Sequence, residues 1–305
     1  MKRVLVTGAS GFIGRHTWSA LGDRGFEVHA VTSQARAASP VQWHTADLLH
    51  PPDVQRVIDA VRPTHLLHLA WYAVPGRFWT SPENLRWVQA TIEIARAFAA
   101  AGGQRLVAAG TCAEYDRSDA DCDERETPLK PSTLYGVGKH ASRTILEAYA
   151  EGRFSTAWGR VFHLYGPDEH PDRLVPSVIC SLLEGRPALC TSGVQVRDFL
   201  HVVDVADAFA ALLDSAVHGP VNIASGSPHP VAEVVSEIGR QIDAEALVRL
   251  GARSTPPHDP PRLTARVARL RDEVGWSPSV DLIGGLRATI DWWRARIEAP
   301  SSPSW

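Results

Sequence analysis

Tyr135 and Lys139 lie four residues apart in a stretch of helical character (residues 132–151), so their side chains share one face, a single turn apart. A phenol with an ordinary pKa near ~10 exchanges protons poorly at neutral pH unless a nearby cation stabilises its phenolate. Lys139 supplies that charge. Tyr135 can then donate a proton to an alkoxide formed by hydride delivery, or remove one in the reverse direction. Such a pair is frequent by chance and gains weight from what stands upstream. There, Val4-Leu5-Val6-Thr7 runs into Gly8-Ala9-Ser10-Gly11-Phe12-Ile13-Gly14. A dinucleotide pyrophosphate must reach backbone N–H groups at a helix N-terminus, and side chains there would block it. Gly8 makes the tight turn, Gly11 lets the backbone approach, and Gly14 lets helix pack on strand. The alternative, a plain loop, is weakened by context: the glycines follow a strand and open a helix.

Those residues need elements to hold them. Residues 4–7, 27–32, 65–70, 105–109 and 155–160 read as strands, with helical stretches near 14–24, 52–61, 82–101 and 132–151 between and after them. The alternation predicts an α/β fold, a Rossmann-type doubly wound parallel sheet with crossover helices on both faces. Beyond Arg160 come Pro- and Gly-rich loops, a helix near 174–184, the segment 196–203, a helix 204–215 and a strand 221–224; 231–242 and 282–297 are again amphipathic. A chain of 305 residues suits one large and one small lobe. Residues 1–162 plus 194–224 are expected to form the dinucleotide-binding domain, and 163–193 plus 225–305 a smaller C-terminal α/β substrate lobe. Ligands of such sheets sit beyond the carboxyl ends of the strands. The loops after Thr7, Thr32, Ala70, Ala109 and Arg160 should therefore face one cleft.

Composition excludes several classes. Net charge is −3 with both signs interspersed, so no basic stripe points to nucleic acid. No apolar run approaches membrane-spanning length, and Met1-Lys2-Arg3 leads straight into the first strand without a signal peptide; a cytoplasmic protein is expected. Cys112, Cys122, Cys180 and Cys190 form no C-x-x-C pair, so free thiols are expected rather than disulfides or a metal site.

The spacing Gly8-x-x-Gly11-x-x-Gly14, followed downstream by Tyr135-x-x-x-Lys139, resembles the short-chain dehydrogenase/reductase superfamily in its extended branch, the NAD(P)-dependent epimerases, dehydratases and reductases of nucleotide sugars. The resemblance runs from Arg3 to about Trp293. It implies a Ser or Thr at the end of the fourth strand, four residues before a tyrosine, and Thr111 fills that position ahead of Tyr115. Its hydroxyl would polarise the substrate carbonyl, with Cys112 beside it at the substrate. Sugar 4,6-dehydratases resemble Thr-Asp-Glu here, and epimerases that invert carbons 3 and 5 place a cysteine two residues after the Ser/Thr. Thr111-Cys112-Ala113 matches neither. What remains is hydride transfer at a sugar carbon, by a 4-keto reductase or a 4-epimerase.

An NAD-preferring site ends the second strand in a carboxylate that accepts from the ribose 2′-hydroxyl. The slot here is Thr32, followed by Ser33 and Arg36. Hydroxyls and a guanidinium bind a 2′-phosphate that a carboxylate would repel. Arg15 adds a second charge, unless both arginines are ordinary solvated ones. NADP is the expected cofactor, with NAD as alternative. Asp47, in Ala46-Asp47-Leu48, resembles the superfamily's adenine-contacting aspartate, a helix N-cap being the competing role. Leu48, Leu69, Ala70, Phe12 and Ile13 complete the expected cofactor contacts.

Farther along, Arg197-Asp198-Phe199-Leu200-His201-Val202-Val203-Asp204 resembles the segment whose arginine clamps the substrate diphosphate. Asp198 then reads as an ion-pair partner and Asp204 as a helix cap. Arg160-Val161-Phe162-His163-Leu164-Tyr165-Gly166-Pro167 matches the family's Arg-x-x-Asn-x-Tyr-Gly-Pro, except that His163 replaces the asparagine. His163 is either a phosphate contact or a packed neutral histidine. No second diphosphate arginine falls within residues 256–261, which leaves Arg253, His258 or Arg262 as substitutes. Trp71, Tyr72, Phe78 and Trp79 either line a sugar pocket or belong to a core or interface. The resemblance also implies a homodimer through a four-helix bundle of residues 82–101 and 132–151. Together these features point to an NADP(H)-dependent reductase of a 4-keto-6-deoxy nucleotide sugar in deoxyhexose biosynthesis. The alternatives are an NAD-dependent nucleotide-sugar 4-epimerase and a non-catalytic NADP-binding sensor.

Overall fold

Val4, Leu5 and Val6 are all buried, and so are Leu66, Leu67, Leu106 and Val107. Runs that are apolar on both faces of a strand require layers above and below, as in a parallel sheet covered by crossover helices. A computed structural model describes residues 2–34, 36, 41–116, 121–256 and 259–299 and has this arrangement. The first half runs β1 (Lys2–Thr7), a short 3₁₀ turn, α1 (Thr17–Asp23), β2 (Phe26–Thr32), β3 (Gln42–Thr45), α2 (Pro51–Val61), β4 (His65–His68), α3 (Glu83–Ala100), β5 (Arg105–Thr111), β6 (Asp121–Cys122), α4 (Leu134–Ala150) and β7 (Ser155–Val161). The second half runs β8 (His163–Tyr165), α5 (Leu174–Leu183), β9 (Ala188–Leu189), β10 (Val196–His201), α6 (Val202–Asp214), β11 (Gly219–Ile223), β12 (Pro228–Pro230), α7 (Val231–Gln241), β13 (Val248–Arg249), β14 (Arg262–Ala265) and α8 (Leu282–Glu298).

Seven strands form the main sheet in the order β11-β7-β5-β4-β1-β2-β3, every neighbouring pair parallel. One face is covered by α1 and α6, with Leu21, Phe209 and Leu213 in the core; the other, with Val57, Ile94, Phe98 and Leu146, by α2, α3 and α4. This is a Rossmann-like doubly wound sheet. The strand β3 is additional to those read from the sequence: at four residues of mixed burial, Gln42–Thr45 carries too little apolar pattern to announce itself.

A second sheet, β12-β10-β14-β6 with β8 paired to β10, builds the smaller lobe. Here the expected partition needs correcting. Residues 194–224 are expected in the dinucleotide domain, yet among the described strands β10 pairs with β8, β12 and β14; α6 and β11 return to the main sheet. An apolar strand reads alike whichever sheet it joins. Asp198 and Asp204 tie these parts together. Asp198, fully buried, accepts from Ser225 N–H and Oγ (both 2.7 Å) and Gly226 N–H (2.9 Å) rather than pairing with an arginine. Asp204 does not cap α6; it accepts from Ser279 Oγ (2.7 Å) and Val280 N–H (2.9 Å) in the loop before α8.

Candidate active site

At the carboxyl end of β1 the chain turns through Gly8 at φ 68°, and the Gly11 N–H donates to the Gly8 carbonyl at 2.9 Å. A Cβ on Gly8 would lie 2.7 Å from the Ala70 nitrogen, and one on Gly14 only 2.1 Å from the Gly8 carbonyl oxygen. The cradle exists because no side chain fills it. Leu69 and Ala70 close its wall: their N–H groups donate to the Thr7 carbonyl (3.2 Å) and to Thr7 Oγ1 (3.3 Å). Thr7 Oγ1 also meets His68 Nδ1 at 2.7 Å, and burial pushes His68 down to about 3, so this contact is made by a neutral ring. Ile13 packs on the core of the α1 face, and Phe12 lies edge-on to His16. The residues present fit a dinucleotide pyrophosphate.

Thr32 ends β2 buried, its Oγ1 accepting from Gln34 N–H at 3.3 Å; Ser33 is exposed. Arg36 is exposed, with its guanidinium over the Trp43 ring of β3 at 5.4 Å. Arg15 is engaged elsewhere. It pairs with Asp168, which adopts a left-handed φ of 70°, and donates to the Ser10 carbonyl at 2.8 Å. Its charge therefore joins the glycine loop to the substrate lobe rather than standing ready for a 2′-phosphate. Asp47 is exposed and accepts from Leu49 N–H at 2.9 Å in a turn before α2, where His50, not Asp47, is the N-cap; Leu48 is buried.

Thr111 ends β5, and Thr133 caps α4 by accepting from Gly136 N–H at 3.1 Å. Those two ends bring the Thr111 hydroxyl beside the Tyr135 phenol, near enough to lower its pKa. Cys112 follows Thr111 in a 3₁₀ turn, half-buried. Phe78, Trp79 and Trp71 surround Tyr135 edge-on, at ring separations of 4.8, 5.8 and 6.5 Å. Burial in that aromatic box pushes the phenol up to about 12, against lowering by the Thr111 hydrogen bond and the Arg173 guanidinium. The expectation that Lys139 holds the phenol acidic is corrected in this state. The Lys139 Nζ donates to the Ala109 carbonyl at 2.7 Å and sits on the Trp71 face at 4.0 Å, and burial pulls it down to about 7.

Three further residues at the candidate site carry no reading from the sequence. Glu114, completely buried, closes the turn after β5: it accepts from Thr111 N–H (2.9 Å), Trp158 Nε1–H (2.8 Å) and Arg160 Nε–H (3.1 Å). Its signal was present, because a Thr followed three residues later by Glu is a capping box. Arg173 lays its guanidinium over Phe78 at 5.3 Å, beside Tyr135. Glu169 is buried nearby, and desolvation pushes its carboxyl up to about 8 against the opposing Arg173 charge. No local pattern marks either.

In the smaller lobe, Arg197 is buried and committed. It donates to Asp259 at 2.5 Å, to the Pro260 carbonyl at 2.7 Å and to the Val196 carbonyl at 2.8 Å. Gln195 reaches the same Asp259 at 3.1 Å. His163 packs against Phe199 at 5.9 Å. Of the candidate substitutes for a second arginine, Arg253 is exposed, Arg262 pairs with Asp121 at 3.1 Å, and His258 lies outside the described residues.

Against known proteins, the model of the NAD dependent epimerase/dehydratase family matches residues 4–224. The chain belongs to this family. The chain is similar to UDP-glucose 4-epimerase of Azospirillum brasilense, 28% identical with 96% of this chain and 92% of the relative covered. UDP-glucuronic acid decarboxylase 1 of Xenopus tropicalis is 26% identical over 97% of this chain and 73% of its own. Among solved structures, MoeE5 in complex with UDP-glucose and NAD is 30% identical, with TM-score 0.85 over 97% of this chain and 100% of its own. An epimerase/dehydratase family chain of this kind is an enzyme of the extended short-chain dehydrogenase/reductase type. Within that frame the cleft holds a hydroxyl–phenol pair (Thr111 and Tyr135), a buried amine (Lys139) and a cation (Arg173). The carboxylate next to Thr111, Glu114, is sealed by Arg160 and Trp158 and is not exposed to a substrate.

Proposed function

We propose that this protein is an NADP(H)-dependent reductase of a 4-keto-6-deoxy nucleotide sugar. The observation that carries the reading is the Thr111 hydroxyl at the end of β5 beside the Tyr135 phenol at the start of α4, in a site whose adjacent carboxylate is locked away. Such a site can polarise a carbonyl and deliver a proton, but Thr111-Cys112-Ala113 offers no acid and base for eliminating water. When bound, a nicotinamide dinucleotide supplies the hydride. Thr111 and Tyr135 hold the carbonyl oxygen, and Tyr135 protonates it as negative charge develops. The Arg173 guanidinium supplies the positive charge that eases proton release from the phenol. The apolar walls of Phe78, Trp79 and Trp71 suit a sugar whose carbon 6 carries no hydroxyl.

Thr32 in place of an acid, with Arg36 held over Trp43, supports NADP over NAD. The substrate diphosphate would be bound by Arg197 in exchange for Asp259. Exposed Leu85 on α3, with Val137 and Ile145 on α4, supports a homodimer through a four-helix bundle. No helix among the described residues is long and apolar enough to cross a membrane, and the four cysteines are free, which fits a cytoplasmic enzyme. A second reading, an NAD-dependent 4-epimerase, is favoured by the relatives that carry that name and by the NAD and UDP-glucose bound to MoeE5. One experiment separates them: reduced-nicotinamide absorbance across dTDP-, GDP-, UDP- and CDP-4-keto-6-deoxyhexoses. Net NADPH consumption supports the reductase. Tightly held NAD with no net consumption supports the epimerase.

A further inference from the structure

Glu169 has no part in the transfer steps above. Its side chain is only 6% exposed, and its Oε2 meets no hydrogen-bond donor among the described residues. A buried polar atom left unpaired carries its full desolvation penalty, so each one in a native fold needs a reason.

The loop that carries Glu169 supplies one. It leaves β8 at Tyr165, enters α5 at Leu174, and is held to the cleft at both ends. At its start the Pro167 carbonyl meets His16 Nε2 at 3.2 Å, and Asp168, in the left-handed region at φ 70°, pairs with Arg15. The same guanidinium donates to the Ser10 carbonyl of the glycine loop at 2.8 Å. At its end Arg173 lies over the Phe78 ring at 5.3 Å, and that ring stands 4.8 Å from the ring of Tyr135. Glu169 is one residue from the first anchor and four from the second. A dinucleotide with its pyrophosphate on the glycine loop and its nicotinamide at Tyr135 spans the same two points, and a sugar reduced there lies against it. Desolvation pushes the carboxyl up to about 8, so at neutral pH it is an uncharged acid that can donate one hydrogen bond and accept another. That chemistry suits an amide or a hydroxyl better than a cation.

We propose that Glu169 is a ligand-binding residue of the cleft: its carboxyl completes its hydrogen bonding on a neutral amide or hydroxyl group of the bound ligand, either the carboxamide of the nicotinamide or a hydroxyl of the sugar. This rests on reading the cleft as the site of a dinucleotide and a nucleotide sugar. In the protein alone the buried acid is destabilising, and the contact that offsets it forms with the ligand.

Two variants test this. Glu169→Met keeps an unbranched stem and removes both oxygens, whereas Glu169→Gln keeps a donor and an acceptor in the same place. Calorimetry reads the affinity for NADPH or NADH, whichever binds more tightly, and KM reads the nucleotide sugar of the panel that turns over. The methionine variant should lose roughly fivefold or more in one of the two, and the glutamine variant should stay within about twofold of wild type. Weaker dinucleotide binding assigns the contact to the carboxamide; a rise confined to KM assigns it to a sugar hydroxyl. Melting temperature without ligand supplies a readout that a structural role would move the other way: Glu169→Met should melt higher by roughly 2 °C or more. A methionine variant that binds both ligands as wild type does, or that melts lower, overturns the proposal. If no sugar of the panel turns over, the reductase reading fails by itself, and dinucleotide affinity decides here: left unchanged by Glu169→Met, it overturns the inference.

Discussion

Replacing Lys139 with methionine, which keeps an unbranched stem but carries no charge, tests what burying an ammonium costs this fold. Burial takes Lys139 from 10.5 to about 7, and at about 1.4 kcal/mol per unit that gap is ~5 kcal/mol of charging cost near neutral pH. Removing the amine leaves the buried Ala109 carbonyl without its donor, which costs about 1–3 kcal/mol. The net is a gain of roughly 2–4 kcal/mol, or a melting temperature higher by roughly 3–6 °C for a chain of this size. The sign depends on pH. Because the folded value lies below the unfolded one, the wild type loses stability as pH falls from about 10.5 to about 7, and little more below that. The advantage of Lys139→Met should therefore be full near about pH 6 and shrink steadily as pH rises toward 10.5. Differential scanning fluorimetry at about pH 6, 8 and 10 reads this directly. A variant that is less stable at the lowest pH, or whose advantage does not change with pH, refutes the reasoning.

Other perturbations follow the same geometry. In Gly14→Ala the new Cβ would stand 2.1 Å from the Gly8 carbonyl oxygen and 2.7 Å from the Ala9 Cα, so the loop must open; calorimetry should show NADPH affinity down roughly tenfold or more, and unchanged affinity contradicts the cradle. Thr32→Glu puts a carboxylate at the end of β2, and the ratio of NADPH to NADH affinity should fall roughly tenfold or more; an unaltered ratio removes Thr32 from cofactor selection. Arg160→Met strands the buried Glu114 carboxylate at a cost of about 3–5 kcal/mol, visible as a lower melting temperature, and adding Glu114→Leu should recover much of the loss. If the double variant melts no higher than the single one, the cost lies in packing rather than in stranded charge.

What could be read from the sequence was what short-range pattern encodes. The glycine loop, the alternation of strands and helices, and the four-residue spacing of Tyr135 and Lys139 each sit within one or two elements. Local spacing also leads to the Thr111–Tyr135 contact once β5 and α4 are adjacent. Charges paired across the chain were illegible. Arg15 finds Asp168, Arg197 finds Asp259, and Glu114 finds Arg160 only after the sheet and the smaller lobe have assembled. The same limit explains β10: its apolar run predicts a strand, while its partners depend on where the chain has already gone. The charge state of Lys139 was missed for a related reason, since desolvation by Trp71 and the β5 backbone is a property of the packed cleft.

The most direct measurement is NADPH consumption by wild-type protein and by Tyr135→Phe, on whichever 4-keto-6-deoxy nucleotide sugar of the panel turns over. With NADPH binding unchanged, the phenylalanine variant should be slower by roughly 100-fold or more, the contribution expected of a positioned proton donor. Turnover at the wild-type rate would contradict the assignment of proton transfer to Tyr135.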